Sequence, residues 1–179
     1  MTLKELVLKS MEIIGLDVNV DFENPSVPLK KVIDSAKMIY SELVLEYVPL
    51  KTREKSEIKE GRIYYSDLSR PVREIISITK GGRKISFEHY PTCVKCFESE
   101  GEVEVQYLFH VTDIDVDEEL ILPPQFTIYF LSTGVVSEYY YRIGMVDEAL
   151  FYKTRYDHSL ENLSRKLKSV RLPERRLLV

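Results

Sequence analysis

The sequence predicts an α+β protein: a four-helix bundle with an antiparallel β insertion between helices two and three, followed by an extended tail. Three observations predict this fold. Apolar residues recur at helical spacing before residue 48 and again after about residue 120, they alternate with polar residues in between, and Pro173 ends the last helical pattern. The predicted divisions are therefore residues 1–51, 52–119, 120–170 and a tail over residues 171–179.

The first half of the bundle is predicted to contain two helices. Thr2 and Glu5 have the spacing of a capping box, which begins a helix over residues 3–14, and Gly15 stands where a C-terminal cap is expected. The second helix covers about residues 28–47 and has the clearest apolar stripe of the chain. Pro49 ends it.

The β insertion is predicted from a change of the apolar period from 3.6 to 2. Strands are expected at residues 63–65, 72–79, 84–87, 94–97 and 103–109, and Lys80-Gly81-Gly82-Arg83 is a hairpin-turn signal. These elements predict one compact antiparallel unit, either a meander or a small sandwich.

The second half of the bundle is predicted to contain helices three and four. Pro123-Pro124 can open helix three, because the first N–H groups of a helix are unpaired in any case, and Gly144 ends it. Helix four begins near Met145 and fades near Val170. Its stripe contains residues 149, 152, 156, 160, 163 and 167.

Composition limits the class of protein. The 179 residues are 44% hydrophobic and 30% charged, which allows one globular domain with an insertion. No apolar stretch approaches 18 residues and no secretory signal precedes the first helix, so we expect no membrane partner and a reducing cytoplasm or a particle assembled there. The net charge of −4 disfavours a free nucleic-acid binder.

Motifs for chemistry are weak. Cys93 and Cys96 form a CxxC, and His89 and His110 flank it. Four such residues are the number of ligands that a structural zinc site needs, so a zinc site stays open as an alternative. No second cysteine pair exists, and strand residues three apart point to opposite faces, so ordinary strand cysteines are favoured. No nucleophile elbow, P-loop or HExxH is present. The sequence therefore predicts no catalytic, cofactor or metal site, and a protein that is not an enzyme.

Acidic residues concentrate between residues 98 and 119, where nine carboxylates occur without a Lys or Arg. A solvated strand and loop is favoured over a cation site, because the central glycine and final glutamate of a calcium loop are missing. A third interpretation is a surface that repels DNA phosphates. The candidate residues of this acidic region are Glu100, Glu102, Glu104, Asp113, Asp115 and Asp117.

Basic residues concentrate at the opposite end. Helix C-termini favour cations, but this does not explain Arg175 and Arg176, which lie beyond Pro173. A basic tail with leucine anchors predicts docking into a groove on another chain, with a frayed end as the alternative. The candidate interface residues are Arg165, Lys168, Arg171, Arg175, Arg176, Leu177 and Leu178.

Three stretches together resemble a known family. The first is residues 32–50, which end in ELVLEYVPL. The second is residues 61–68, GRIYYSDL, which lead into VREI and close with GEVEVQY at 101–107. The third is LILP at 120–123, followed by residues 134–141, residues 144–156 and the basic tail. The chain resembles the head–tail adaptor (connector) proteins of tailed bacteriophages, of the tail tubular protein A type.

The resemblance implies a structural virion protein without enzymatic activity, located at the head–tail interface and assembled in the host cytoplasm. Such adaptors form a homo-oligomeric ring, commonly of twelve copies, beneath the portal protein. The ring extends the channel for packaged DNA and provides a platform for the downstream tail or nozzle protein. The CxxC is a departure from the family's pattern.

The resemblance also assigns roles to residues of this chain. The tyrosines of helices three and four are expected at subunit contacts, the tail at the portal, and the acidic region at the DNA channel or a charge-complementary neighbour. The tyrosines are Tyr139, Tyr140, Tyr141, Tyr152 and Tyr156. Two alternatives remain open: a nucleic-acid-binding accessory protein that uses the basic C-terminal cluster, and a metal or redox enzyme that uses the two cysteines.

Overall fold

The structure, a computed structural model, describes residues 1–98, 100–111 and 114–169, and for residues 164–169 it describes the backbone alone. The tail over residues 171–179 lies outside the described residues.

The chain divides into two compact units. The helical unit comprises Met1–Glu42 and Ile114–Val179, and the β unit comprises Leu43–Asp113. The predicted insertion, residues 52–119, starts and ends later than the β unit. The difference at its end has a local cause, because the backbone N–H groups of Leu3 and Lys4 bond the carbonyls of Glu118 and Val116 at 3.1 and 2.7 Å. These hydrogen bonds tie the chain after residue 114 to the first helix.

Helices α1 (Leu3–Ile14) and α2 (Val27–Glu46) form where the sequence predicts them. The capping box of α1 is confirmed: the Glu5 N–H donates to the Thr2 hydroxyl at 3.2 Å, and the Thr2 N–H donates to the Glu5 carboxylate at 2.9 Å. Gly15 ends α1 with a φ of 83°, in the left-handed region that suits glycine.

Helices α3 (Ile128–Arg142) and α4 (Val146–Ser169) form an antiparallel hairpin. Helix α3 begins later than predicted, because residues 123–126 form a turn and Thr127 caps the helix by accepting the Phe130 N–H at 3.3 Å. Eight consecutive residues, 130–137, are buried. Since eight residues exceed two helical turns, every face of this part of α3 is covered.

The prediction of a four-helix bundle with one β insertion is wrong. Among the described residues the protein has four helices and two antiparallel sheets of seven strands in total. In a bundle each helix turns one apolar stripe toward a shared axis. Here α3 is buried on all sides and the close backbone contacts between helices join it to α1 and to α4. The arrangement is a central helix with neighbours, in a mixed α+β fold.

The β unit contains both sheets. The larger sheet has the order β1-β7-β3-β4, and the smaller sheet has the order β2-β6-β5. All neighbours are antiparallel. The strands, in chain order, are β1 (Lys51–Ile58), β2 (Arg62–Tyr64), β3 (Val72–Lys80), β4 (Arg83–Ile85), β5 (Phe87–His89), β6 (Cys93–Cys96) and β7 (Gly101–Phe109).

Two sheets form because the predicted strand 84–87 divides. Its first part, β4, pairs with β3 across the Gly81-Gly82 turn, with Ile85 opposite Ile78. Its last residue begins β5, which pairs with β6 in the other sheet, with Phe87 opposite Cys96. The chain changes sheets at Ser86, and the side chains of Ile78, Val105 and Tyr107 are buried in the core of this unit.

Candidate interaction surface

The turn between α3 and α4 exposes an apolar surface that the sequence analysis did not single out. Gly144, with a φ of 83°, and the bond from the Met145 N–H to the Tyr140 carbonyl at 2.9 Å make the turn. Six large apolar side chains around it are exposed, and Phe151 is 59% exposed. We call this surface the hairpin patch; it consists of Tyr141, Ile143, Met145, Val146, Leu150 and Phe151.

The hairpin patch continues along the outer face of the helix pair. The Arg155 guanidinium lies 5.7 Å from the centroid of the Phe151 ring and donates a hydrogen bond to the Tyr129 hydroxyl at 3.0 Å. Tyr129 is 52% exposed. An ordered arginine with aromatic rings on either side matches the composition of interface cores, where Arg, Tyr and Phe are enriched.

The predicted tyrosines occupy different environments. Tyr139 and Tyr156 are buried in the helical unit, where the Tyr156 ring stacks on Phe130 at a centroid distance of 4.9 Å. Tyr140 and Tyr152 stack on each other at a centroid distance of 5.9 Å, and both are half-buried. Tyr141 is exposed. A partner can therefore reach Tyr141, and Tyr140 and Tyr152 in part, whereas the buried rings of Tyr139 and Tyr156 stabilise the hairpin itself.

The surroundings of Tyr140 affect the ionisation of its phenol. Burial, with smaller contributions from Tyr152 and Glu148, raises the pKa of the Tyr140 phenol above its ordinary value. The phenol therefore stays neutral throughout the physiological range.

The packing beneath the hairpin patch is tight at one glycine. A methyl group added at Gly134 would lie 2.8 Å from the nearest atom of the Tyr156 ring. The helices approach each other so closely because no side chain stands between them there. The absence of a Cβ at Gly134 thus sets the position of α4, on which half of the hairpin patch lies.

The acidic region is divided between the units. Glu100, Glu102 and Glu104 belong to the β unit, Asp115 and Asp117 belong to the helical unit, and Asp113 lies outside the described residues. These five described residues are exposed.

The acidic residues on β7 face cations on β1. Glu102 lies 3.0 Å from Lys55 and Glu104 lies 3.6 Å from Arg53, in ion pairs between the two strands. In the helical unit Asp117 lies 3.5 Å from Lys4. The outer face of the larger sheet thus carries paired charges, and not a uniform acidic surface.

The structure describes none of the side chains of the predicted basic interface residues. Arg165 and Lys168 lie in α4, and nothing is described of their side chains. The remaining five, Arg171, Arg175, Arg176, Leu177 and Leu178, lie outside the described residues.

The two cysteines are buried free thiols on β6, the central strand of the smaller sheet. Burial, with a smaller contribution from the Glu98 carboxylate, raises the pKa of the Cys96 thiol. The thiolate is the nucleophilic form of cysteine, so these conditions disfavour reactivity at Cys96. Both side chains contribute to packing in the β unit.

Within residues 1–98, 100–111 and 114–169, no three His, Cys, Asp or Glu side chains gather as metal ligands would. None of the helices in the described part of the chain combines the length and apolar character needed to span a membrane. No protein-family model and no curated protein matches the sequence.

Proposed function

We propose that the protein is a head–tail adaptor of a tailed bacteriophage. In this role it is a structural virion protein that forms a ring beneath the portal, extends the DNA channel and provides the platform for tail attachment. The sequence resemblance supports the role, and the hairpin patch is the structural observation that carries it. A chain that functions alone rarely exposes six large apolar residues within eleven positions of one helical hairpin.

The occupant of the hairpin patch in this proposal is a second copy of the chain. A ring needs one heterologous contact that repeats around the axis, and each copy then supplies the hairpin patch to its neighbour. The tight crossing at Gly134 makes the hairpin a rigid element, which lowers the entropy cost of such a contact. Tyr141, with the half-buried Tyr140 and Tyr152 beside it, is the part of the predicted tyrosine contact that a neighbour can reach.

The β unit has a different role in this proposal. Its larger sheet presents charged side chains that are already paired across β1 and β7. Such a face is well hydrated and contributes little to a permanent contact. We therefore assign it to the outside of the ring or to the side that meets the downstream tail protein, where charge complementarity selects the partner.

The test is to mix the protein with the portal ring encoded in the same genome and to count the bound copies by native mass spectrometry or electron microscopy. We expect stoichiometric binding in the symmetry of the portal, with twelve copies. A protein that is monomeric alone is compatible with this result, because such rings can assemble only on their partner. Failure to bind the portal at any stoichiometry would overturn the proposal.

Two phenylalanine variants test whether the number of bound copies depends on the hairpin patch. Phe151→Glu should lower the occupancy of the ring by about tenfold or more, since burying a Phe side chain contributes about 1.5–3 kcal/mol. The matched control is Phe97→Glu, because Phe97 is 69% exposed and belongs to the β unit. The control should bind as the unchanged protein does. Equal losses in both variants would contradict a ring contact through the hairpin patch.

The alternative of a nucleic-acid-binding accessory protein predicts a different result in the same preparation. Binding through the basic C-terminal cluster would give an affinity for DNA that falls steeply with salt. Salt-dependent DNA binding combined with no portal binding would favour this alternative over the adaptor.

A further inference from the structure

An apolar groove with acidic residues at its rim lies where the N-terminal ends of α1 and α3 meet. It encloses about 480 Å³, and all of its lining belongs to the helical unit. Leu120 and Phe126 are buried beneath it, while Leu122, Pro123 and Ile128 are half-exposed or exposed. A volume of this size is within the range that holds several side chains of a peptide. The complete lining is Met1, Glu5, Glu119, Leu120, Leu122, Pro123, Pro124, Phe126 and Ile128.

The rim of this groove offers two carboxylates to a cationic ligand. One oxygen of Glu5 accepts the Thr2 N–H at 2.9 Å, and one oxygen of Glu119 lies 3.5 Å from the Met1 ammonium. Among the described residues, no hydrogen bond or ion pair engages the second oxygen of either carboxylate. A chain that fits the groove therefore needs apolar side chains together with arginine or lysine.

The direction of α4 brings its second half to the end of the helical unit that contains the groove. The Ser137 hydroxyl donates to the Ala149 carbonyl at 2.9 Å, and further along the pair Arg155 reaches Tyr129 at 3.0 Å. The residue numbers fall along α3 as they rise along α4, so α4 leads from the hairpin patch toward the start of α3. Phe126 of the groove contacts Phe130 edge to face at 5.8 Å, and Phe130 stacks on Tyr156.

The chain after α4 is long enough to return to the groove. From Tyr156 to Ser169 the helix advances by about 20 Å at about 1.5 Å per residue. Residue 175 is six residues beyond Ser169, which an extended chain spans with about 20 Å at about 3.3 Å per residue. The basic and apolar residues from Arg175 to Leu178 are therefore the ones that can reach the groove, and Pro173 favours extended backbone on the way.

We infer that the groove is the docking site of the chain's own tail, residues 171–179. In this arrangement Leu177 and Leu178 fill the apolar part, and Arg175 and Arg176 donate to the carboxylates of Glu5 and Glu119. The inference is independent of the proposed function, because it concerns the protein alone. If the tail also binds a portal, the groove and the portal compete for it, and the free chain keeps its tail covered until the portal displaces it.

The test uses tryptophan fluorescence, since the chain contains no tryptophan. In the full-length chain with Leu177→Trp, we expect emission at shorter wavelength and slower acrylamide quenching than in the same chain unfolded by denaturant. Adding Glu119→Arg should lower the ratio of docked to free tail by about tenfold, because a charge-assisted contact is replaced by repulsion. Glu119 is at the surface, with its side chain 80% exposed, so this change leaves the fold intact.

Two further variants make the result specific. Glu118→Arg makes the same charge change one residue away, at a side chain that does not line the groove, and should leave the fluorescence unchanged. Exchanging one charge pair, with either Arg175→Glu or Arg176→Glu added to Glu119→Arg, should restore part of the docking. Equal effects of Glu118→Arg and Glu119→Arg would contradict a specific site.

Two outcomes would overturn the inference directly. The first is emission and quenching of the Leu177→Trp chain that match a solvent-exposed indole before any groove change is made. The second is docking that disappears on dilution, which would place the tail on another copy. In the chain without tryptophan, trypsin cleavage after Arg175 and Arg176 should be slower than in the Glu119→Arg variant, and equal rates would contradict the inference independently of the probe.

Discussion

The helical unit and the β unit present different surfaces to water. Around the α3–α4 turn the helical unit exposes six large apolar side chains over residues 141–151, and its core beneath them has no space for one added methyl group at Gly134. On the outer face of the larger sheet of the β unit, Lys55 and Glu102 face each other as charged neighbours. A rigid apolar surface suits permanent contacts, whereas a hydrated charged surface suits solvent or selective partners.

The largest change in stability is expected for a substitution at Gly134. Gly134→Ala should destabilise the protein by up to about 2 kcal/mol, because overpacking costs about 1–3 kcal/mol and the better helix propensity of alanine returns about 1 kcal/mol. Chemical denaturation followed by circular dichroism measures the change.

Making Gly134→Ala in a second variant identifies the cause of the loss of stability. In a chain that already contains Tyr156→Leu, the ring that the new methyl group would meet is gone. Gly134→Ala should then be neutral or stabilising. An equal loss in both backgrounds would show that the helix crossing is not limited by the Tyr156 ring.

A smaller effect is expected from the Cys96 thiol in the β unit. Its pKa is raised in the folded protein, mainly by burial, so the folded state favours the neutral thiol. This contribution is complete below the ordinary thiol pKa of about 8.5 and is lost as the pH rises through the higher folded value.

The measurement compares unfolding midpoints at neutral and alkaline pH. The midpoint of the unchanged protein should fall more steeply with rising pH than that of Cys96→Ala, since the other titrating groups are common to both chains. Parallel pH profiles would indicate that the thiol stays accessible to water in the folded state.

The smallest effect is expected at the ion pair of Lys55 and Glu102, because both side chains are largely exposed. Lys55→Gln should leave the unfolding midpoint unchanged at high salt and lower it slightly at low salt, where screening is weak. A loss of the same size at both salt concentrations would show that Lys55 contributes through packing, and that this face of the sheet is not a hydrated surface.

The candidate surface was predictable only in part. The tyrosines that the sequence suggested lie on the same helix pair as the hairpin patch, but Tyr139 and Tyr156 are buried within it. The better signal was in the sequence: Leu150 and Phe151 are large apolar residues outside the predicted buried stripe of α4. The sequence pattern predicted a single apolar stripe on α3, whereas all residues from 130 to 137 are buried. The pattern could therefore not show which side chains around the hairpin are covered.

In the β unit, one strand could not be predicted from the pattern of apolar residues. Strand β1, Lys51–Ile58, has the sequence KTREKSEI and carries no apolar alternation that would predict it. It forms because it pairs in register with β7, where Lys55 lies opposite Glu104 and Ser56 lies opposite Val103. The apolar side chains that cover this part of the core come from the partner strands.

Features that depend on a few neighbouring residues could be predicted from the sequence alone. The capping box of Thr2 and Glu5, the end of α1 at Gly15 and the turn at Gly81-Gly82 follow from hydrogen bonds between residues three apart and from positive φ angles. The central position of α3, the formation of β1 and the change of sheets at Ser86 could be assigned only from the folded chain. Those features depend on which distant segment lies opposite, and a distant partner leaves no mark in the local pattern of apolar residues.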